Sequence, residues 1–349
     1  CSCLAEIDFP STVKSIGTNA FSGCIQIQKI KIPEITKIES FAFHGCSSLI
    51  NVMIPSSVVE IGEHSFDGCK SLEQIVMPSS VCKIGSSAFS DCSLLKKLFI
   101  PSSITDIGEN AFKNCTSLSK ITIDSDKVKM QKDVFDNCTS LDHLIIGKSI
   151  NHVQLNEFDF IDKIKHVTIP DNVTTIKENA FGGYGSLLQI TIPSSVNEIG
   201  PNAFYGCQSL KQVTILSKPT KIESQMFFKC ESLTEIEIPS SVAFIDSYAF
   251  CGCKSLNTII IPSSVTEIGR NAFYGCSSLT NLSLHDNLTR IGQKCFYGCR
   301  NLNKVLIPSF LAEIEASSFC LCSSLEEIII QSSIGVKIGD EAIKGCKAL

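Results

Sequence analysis

The chain has 349 residues, of which 44% are hydrophobic; it contains 21 Phe, 19 Cys and no Trp, a narrow apolar vocabulary that points to one packing problem solved many times. Its 30 basic and 35 acidic side chains leave a net charge of −5, which excludes the basic face of a nucleic-acid binder. No apolar run approaches the roughly 20 residues that span a bilayer. Cys1 and Leu349 both fall inside a repeat, with no N-terminal Met and no signal peptide. The chain therefore reads as a piece of a longer protein, with any secretion signal or anchor outside it.

The element F-x-x-C opens at Phe21–Cys24 and recurs at Phe43–Cys46, Phe66–Cys69, Phe89–Cys92, Phe112–Cys115 and Phe135–Cys138. It resumes at Phe204–Cys207 and continues through Phe227–Cys230, Phe250–Cys253, Phe273–Cys276 and Phe296–Cys299 to Phe319–Cys322. The gap from Cys138 to Cys207 is 69 residues, three periods of 23. Phe158 and Phe181 remain there, while Ile161 and Tyr184 stand where Cys is expected. Such a period describes a solenoid, in which each unit buries its flat faces only against its neighbours.

The unit from Cys253 to Cys276 is the fullest. Strand side chains alternate, so Leu256, Ile259 and Ile261 are expected inside, with Thr258 and Ile260 outside. Pro262 cannot donate to a ladder and ends the strand. Ser263-Ser264 turn the chain, Val265 and Ile268 re-enter the core, and Gly269 allows the next bend. Ala272-Phe273 then fill the convex side in a short helical or 3₁₀ turn. The expected architecture is a right-handed leucine-rich-repeat solenoid of about 15 units. A parallel β-sheet lines its concave face and short strands or 3₁₀ turns its convex face, in a single domain over residues 1–349. Repeats at about 124–177 lose the P-S-S and I-G elements and are read as drift that a solenoid tolerates.

Fourteen cysteines share one repeat position, Cys1 and then Cys24 through Cys346. Adjacent rungs sit about 4.8 Å apart, but a disulfide needs converging Cβ vectors and a dihedral near 90°, and ladder vectors run parallel. These thiols are expected reduced and buried, as small hydrophobes. Cys3, Cys82, Cys251, Cys295 and Cys320 lie off the ladder and lack zinc-site spacing.

The pattern L-x-x-I-x-I-P-S-S-V-T-x-I-G-x-x-A-F-x-x-C resembles the BspA-like, or Treponema-type, leucine-rich repeats over essentially the whole chain. The resemblance implies a cell-surface or secreted protein of an oral bacterium or a parasitic protist. It also implies adhesion to host cells and matrix proteins and aggregation with other microbes.

Function must lie where the repeat varies. Met53, Val76 and Phe99 fall on consecutive rungs of one outward column and form an exposed apolar stripe. Lys97, Lys120, His143 and His166 run beside it as a cationic strip. An apolar patch edged by like charge suits a protein ligand, here a host-surface or extracellular-matrix protein. Thr168, Thr191 and Thr214 make a neutral stretch, and Glu235 with Glu237 an acidic spot. The two His, opposed by Lys120, make a poor metal site, and neither a metal nor a cofactor is expected. Sequons stand at Asn114, Asn137, Asn172, Asn281 and Asn287. No nucleophile elbow, P-loop or zinc-protease motif occurs, so a binding module is expected, not an enzyme. An intracellular leucine-rich-repeat scaffold or phosphatase regulator is the alternative. An exposed last rung also invites end-to-end self-association.

Overall fold

The computed structural model describes residues 3–155, 157–331 and 335–349; Cys1 of the expected ladder lies outside them. The chain forms two compact units, one of Cys1–Ile150 with Phe158–Ile164, the other of Asn151–Glu157 with Lys165–Leu349. The division falls within the stretch that lacks the P-S-S and I-G elements.

In the first unit, the primary sheet runs in chain order from strand Lys29–Lys31 to strand His143–Ile146, all parallel. Lys29 pairs with Asn51, and Asn51 in turn with Gln74, Lys97, Lys120 and His143. A second sheet of two-residue strands, Lys37–Ile38 to Lys129–Met130, runs parallel to itself on another side of the coil. The other unit repeats the arrangement. Its primary strands run from His166–Thr168 to Glu235–Ile236 and from Thr258–Ile260 to Glu327–Ile330, and its two-residue strands from His152–Val153 to Lys337–Ile338. Among the described residues fourteen primary strands form. The first outward segment, Glu6–Asp8, forms none.

Burial follows the period-two reading. Leu256, Ile259, Ile261, Val265 and Ile268 are buried, and Ile260 is 76% exposed. On the third side, hydrogen-bonded turns take the place of the expected helical turn, and one 3₁₀ helix, Ile161–Lys163, is present among the described residues. These turns also form a ladder: Phe43 N–H donates to Ser65 O, Phe66 N–H to Ala88 O and Phe89 N–H to Ala111 O, each at 2.8 Å. Outside the irregular rung at Phe158–Ile161, each turn uses two left-handed residues, such as Asn271 (φ 53°) and Gly275 (φ 72°) in the fullest unit. That is why Gly or Asn recurs before the ladder Cys.

Gly269 is required for a different reason than a bend. Its φ is ordinary, but a Cβ there would stand 2.6 Å from Ser247 N and 2.8 Å from Asp246 C. The rungs close backbone on backbone at this corner, with Gly269 N–H donating to Ile245 O at 2.7 Å.

The core is a column of phenylalanines. Phe43, Phe66, Phe89 and Phe112 are fully buried and stack at 5.2–5.3 Å. Phe181, Phe204, Phe227, Phe250, Phe273 and Phe296 are likewise buried and stack at 5.1–5.5 Å in the other unit. At the irregular rung the expected Phe158 does not take the buried place. Phe160 does, edge-on to Phe135 at 5.0 Å, and half-buried Phe158 stacks on its outer side. The 3₁₀ helix that follows at once shifts the ring by two residues.

The ladder cysteines carry free thiols, as expected, but they do more than fill space. From Cys46 onward, each ladder thiol donates to the carbonyl of the ladder Phe one rung back, for example Cys69 to Phe43 O at 3.3 Å and Cys253 to Phe227 O at 3.2 Å. The same carbonyl accepts the N–H of its own rung's Cys, so both lone pairs are used. Where Cys is missing, another donor serves. Lys163 Nζ reaches Phe135 O at 2.9 Å, and Tyr184 Oη reaches Leu155 O at 3.2 Å. Burial pushes the Cys46 thiol up to about 11 and the Cys322 thiol up to about 12, so both stay protonated donors at neutral pH.

Candidate protein-recognition face

Register places the expected stripe directly. Asn51, Gln74 and Lys97 pair in line, so Met53, Val76 and Phe99, each two residues on, share the next outward column. Met53 is 64%, Val76 74% and Phe99 45% exposed. These are large apolar groups on the solvent side of a sheet whose other side is already filled. Lys97 is exposed, and Lys120 and His143, half-buried, follow it in register. Phe99 pairs with Thr122, and Thr122 with half-buried Ile145, which carries the apolar column two rungs further.

Two features differ from the sequence reading. An anion stands beside the histidine: the Asp142 carboxylate lies 3.7 Å from His143 Nδ1. His166, pairing with Gln189, belongs to the other unit and is described with it. Among the described residues no group of three or more His, Cys, Asp or Glu is placed to hold a metal ion, and no helix is long and apolar enough to cross a membrane.

The irregular repeats carry replacement contacts of their own. Asp124, which stands where Pro is usual, accepts both the Ser149 N–H and the Ser149 hydroxyl at 2.7 Å. Asp159 accepts the Asp133 N–H at 2.7 Å. At the sequons, Asn137 Nδ2 donates to Asn114 Oδ1 and Asn114 Nδ2 to Asp91 Oδ1, both at 2.9 Å. These amides are tied into a side-chain ladder.

A feature missed in the sequence lies in the second unit. There a groove of about 1100 Å³ runs past Thr214, Leu216, Glu235, Glu237 and Ile260. The acidic pair was legible, but the groove was not. Its signal is Leu216-Ser217-Lys218-Pro219 in place of P-S-S-V, which puts a 56% exposed leucine where proline usually stands.

A profile described as a BspA type leucine rich repeat region (6 copies) matches residues 1–119, 83–211 and 220–349. A leucine-rich repeat protein of Bacteroides ovatus is 30% identical, with 97% of this chain and 81% of that one covered and a TM-score of 0.52. A leucine rich cell surface protein of Faecalibacterium prausnitzii is 29% identical, with 88% of each chain covered and a TM-score of 0.42. The leucine rich repeat protein of T. pallidum is 25% identical, with 59% of this chain and 77% of that one covered and a TM-score of 0.39. No curated protein matches the chain. With the family profile covering nearly all of its repeats, the chain belongs to the BspA-type leucine-rich repeat family.

Proposed function

We propose that the chain is a non-enzymatic adhesion module of a cell surface, binding an extracellular protein of a host through the primary sheet. The observation that carries this is the run of Met53, Val76 and Phe99, large apolar side chains left exposed on consecutive rungs. Lys97, Lys120 and His143 edge it, all within one unit. Solvated sheet faces normally alternate toward polar residues, whereas an apolar patch with a polar rim is the anatomy of a recognition site. Membership of the BspA-type family supports the adhesive role and the surface location.

Immobilised protein is expected to bind solubilised extracellular-matrix protein saturably and to retain little from a cytosolic extract at the same total protein. Saturable binding from cytosol with none from matrix would contradict this reading and favour an intracellular scaffold.

A further inference from the structure

The primary sheet of the second unit is interrupted. Strand Glu235–Ile236 ends one sheet, strand Thr258–Ile260 begins the next, and the single bridge Glu237–Ile260 joins the two rungs. The groove of about 1100 Å³ opens at this break. We propose that it is a second recognition site, separate from the Met53–Phe99 stripe, for an extended peptide segment of a partner protein. That segment carries two cationic side chains at alternate positions next to an aliphatic one.

The charge argument comes first. Glu235 and Glu237 are exposed, and among the described residues neither has an ion pair or a side-chain hydrogen bond. Other carboxylates of the same unit are neutralised: Glu231 by Lys254 and Glu327 by Lys304, both at 2.8 Å. Lys218 also lines the groove and pairs with neither glutamate. Two carboxylates two residues apart on one strand face are separated by about 6.6–6.8 Å, the repeat of alternate side chains in any extended chain. Cations at positions i and i+2 of an extended ligand match that repeat; cations on a helical one do not.

Apolar and polar contacts complete the site. Leu216, 56% exposed on the rung before, and Ile260, 76% exposed on the rung after, flank the carboxylates. Ser217 lines the same groove at 3% exposure, and among the described residues its hydroxyl has no hydrogen-bond partner. A buried hydroxyl without a partner is costly, and rotation about its Cα–Cβ bond would turn it to a peptide carbonyl or N–H laid in the groove. On the two following rungs the second turn serine is engaged, Ser241 with Pro219 O and Ser264 with Val242 O.

Labelled peptides Gly-Lys-Ser-Lys-Val-Gly and Gly-Glu-Ser-Glu-Val-Gly provide the test, by fluorescence anisotropy at low ionic strength with the whole chain. The lysine peptide is expected to bind saturably and the glutamate peptide not at all. Glu235→Gln with Glu237→Gln should weaken the lysine peptide by about tenfold or more, and Leu216→Ser should weaken it too, which a purely ionic association would not show. All these side chains are exposed, and an unchanged circular dichroism spectrum verifies folding. Lys97→Glu with Phe99→Ser should leave peptide binding intact. The proposal is overturned if the wild-type chain binds neither peptide, if both bind alike, or if the Glu235/Glu237 variant binds as well as the wild type. None of those outcomes bears on the stripe, which is assayed with a different ligand.

Discussion

Replacing Phe89 with alanine is expected to destabilise its unit by about 3–5 kcal/mol, the usual range for emptying an aromatic site in a core. The ring is fully buried and lies between Phe66 at 5.2 Å and Phe112 at 5.3 Å, nearly parallel to both. Its loss removes two stacking contacts, each contributing about 0.5–1.5 kcal/mol beyond area burial. In a solenoid, stability is a sum of rung and neighbour terms, so the variant weakens both couplings of one rung and should let the array melt in two pieces. The check is urea unfolding followed by circular dichroism, with hydrogen exchange to locate the opened rungs. Phe21→Ala is the comparison, since Phe21 is half-buried and its partners are Phe43, stacked, and Phe9, edge-on. Equal losses at the two positions would mean that the Phe column does not hold the rungs together.

Restoring the consensus at position 184 should harm the protein. Tyr184→Cys puts back the residue that the repeat pattern prescribes, yet is expected to cost about 2–5 kcal/mol. The tyrosine is completely buried, packs edge-on to Phe181 at 5.5 Å and donates its hydroxyl to Leu155 O at 3.2 Å. A thiol is too short to fill that volume or to reach that carbonyl. Tyr184→Phe, which keeps the ring and loses the donor, separates the two effects and should cost about 1–3 kcal/mol for the orphaned carbonyl. A Tyr184→Cys variant as stable as the wild type would show that the irregular stretch repacks freely.

The repeat made much of this legible in advance. Once 23 residues were recognised as one turn, alternation alone placed Ile259 inside and Ile260 outside, and put Met53, Val76 and Phe99 in one exposed column. What stayed hidden depends on atoms a full turn apart. Nothing local in Gly269 announces that Ser247 N lies where its Cβ would be. The ladder cysteines read as small hydrophobes because the carbonyl that each thiol meets belongs to a Phe about 26 residues earlier, as with Cys253 and Phe227. Phe158 was placed by counting, but the 3₁₀ helix after it sets Phe160 in the core instead. The groove was hidden for a related reason: L-S-K-P in place of P-S-S-V is visible as a substitution, while the break between two sheets is a property of pairing.

Matrix binding by three forms of the chain tests the central claim, recognition through the primary sheet, most directly. These are the wild type, Lys97→Glu with Phe99→Ser on the sheet, and Lys113→Gln on the turn side of the same unit, where Lys113 pairs with Asp136 at 3.0 Å. Truncating a central aromatic anchor together with a neighbouring charge is expected to cost about thirtyfold or more in affinity, while Lys113→Gln leaves binding unchanged. Full binding by the sheet variant, or a loss confined to the turn-side variant, would contradict the account.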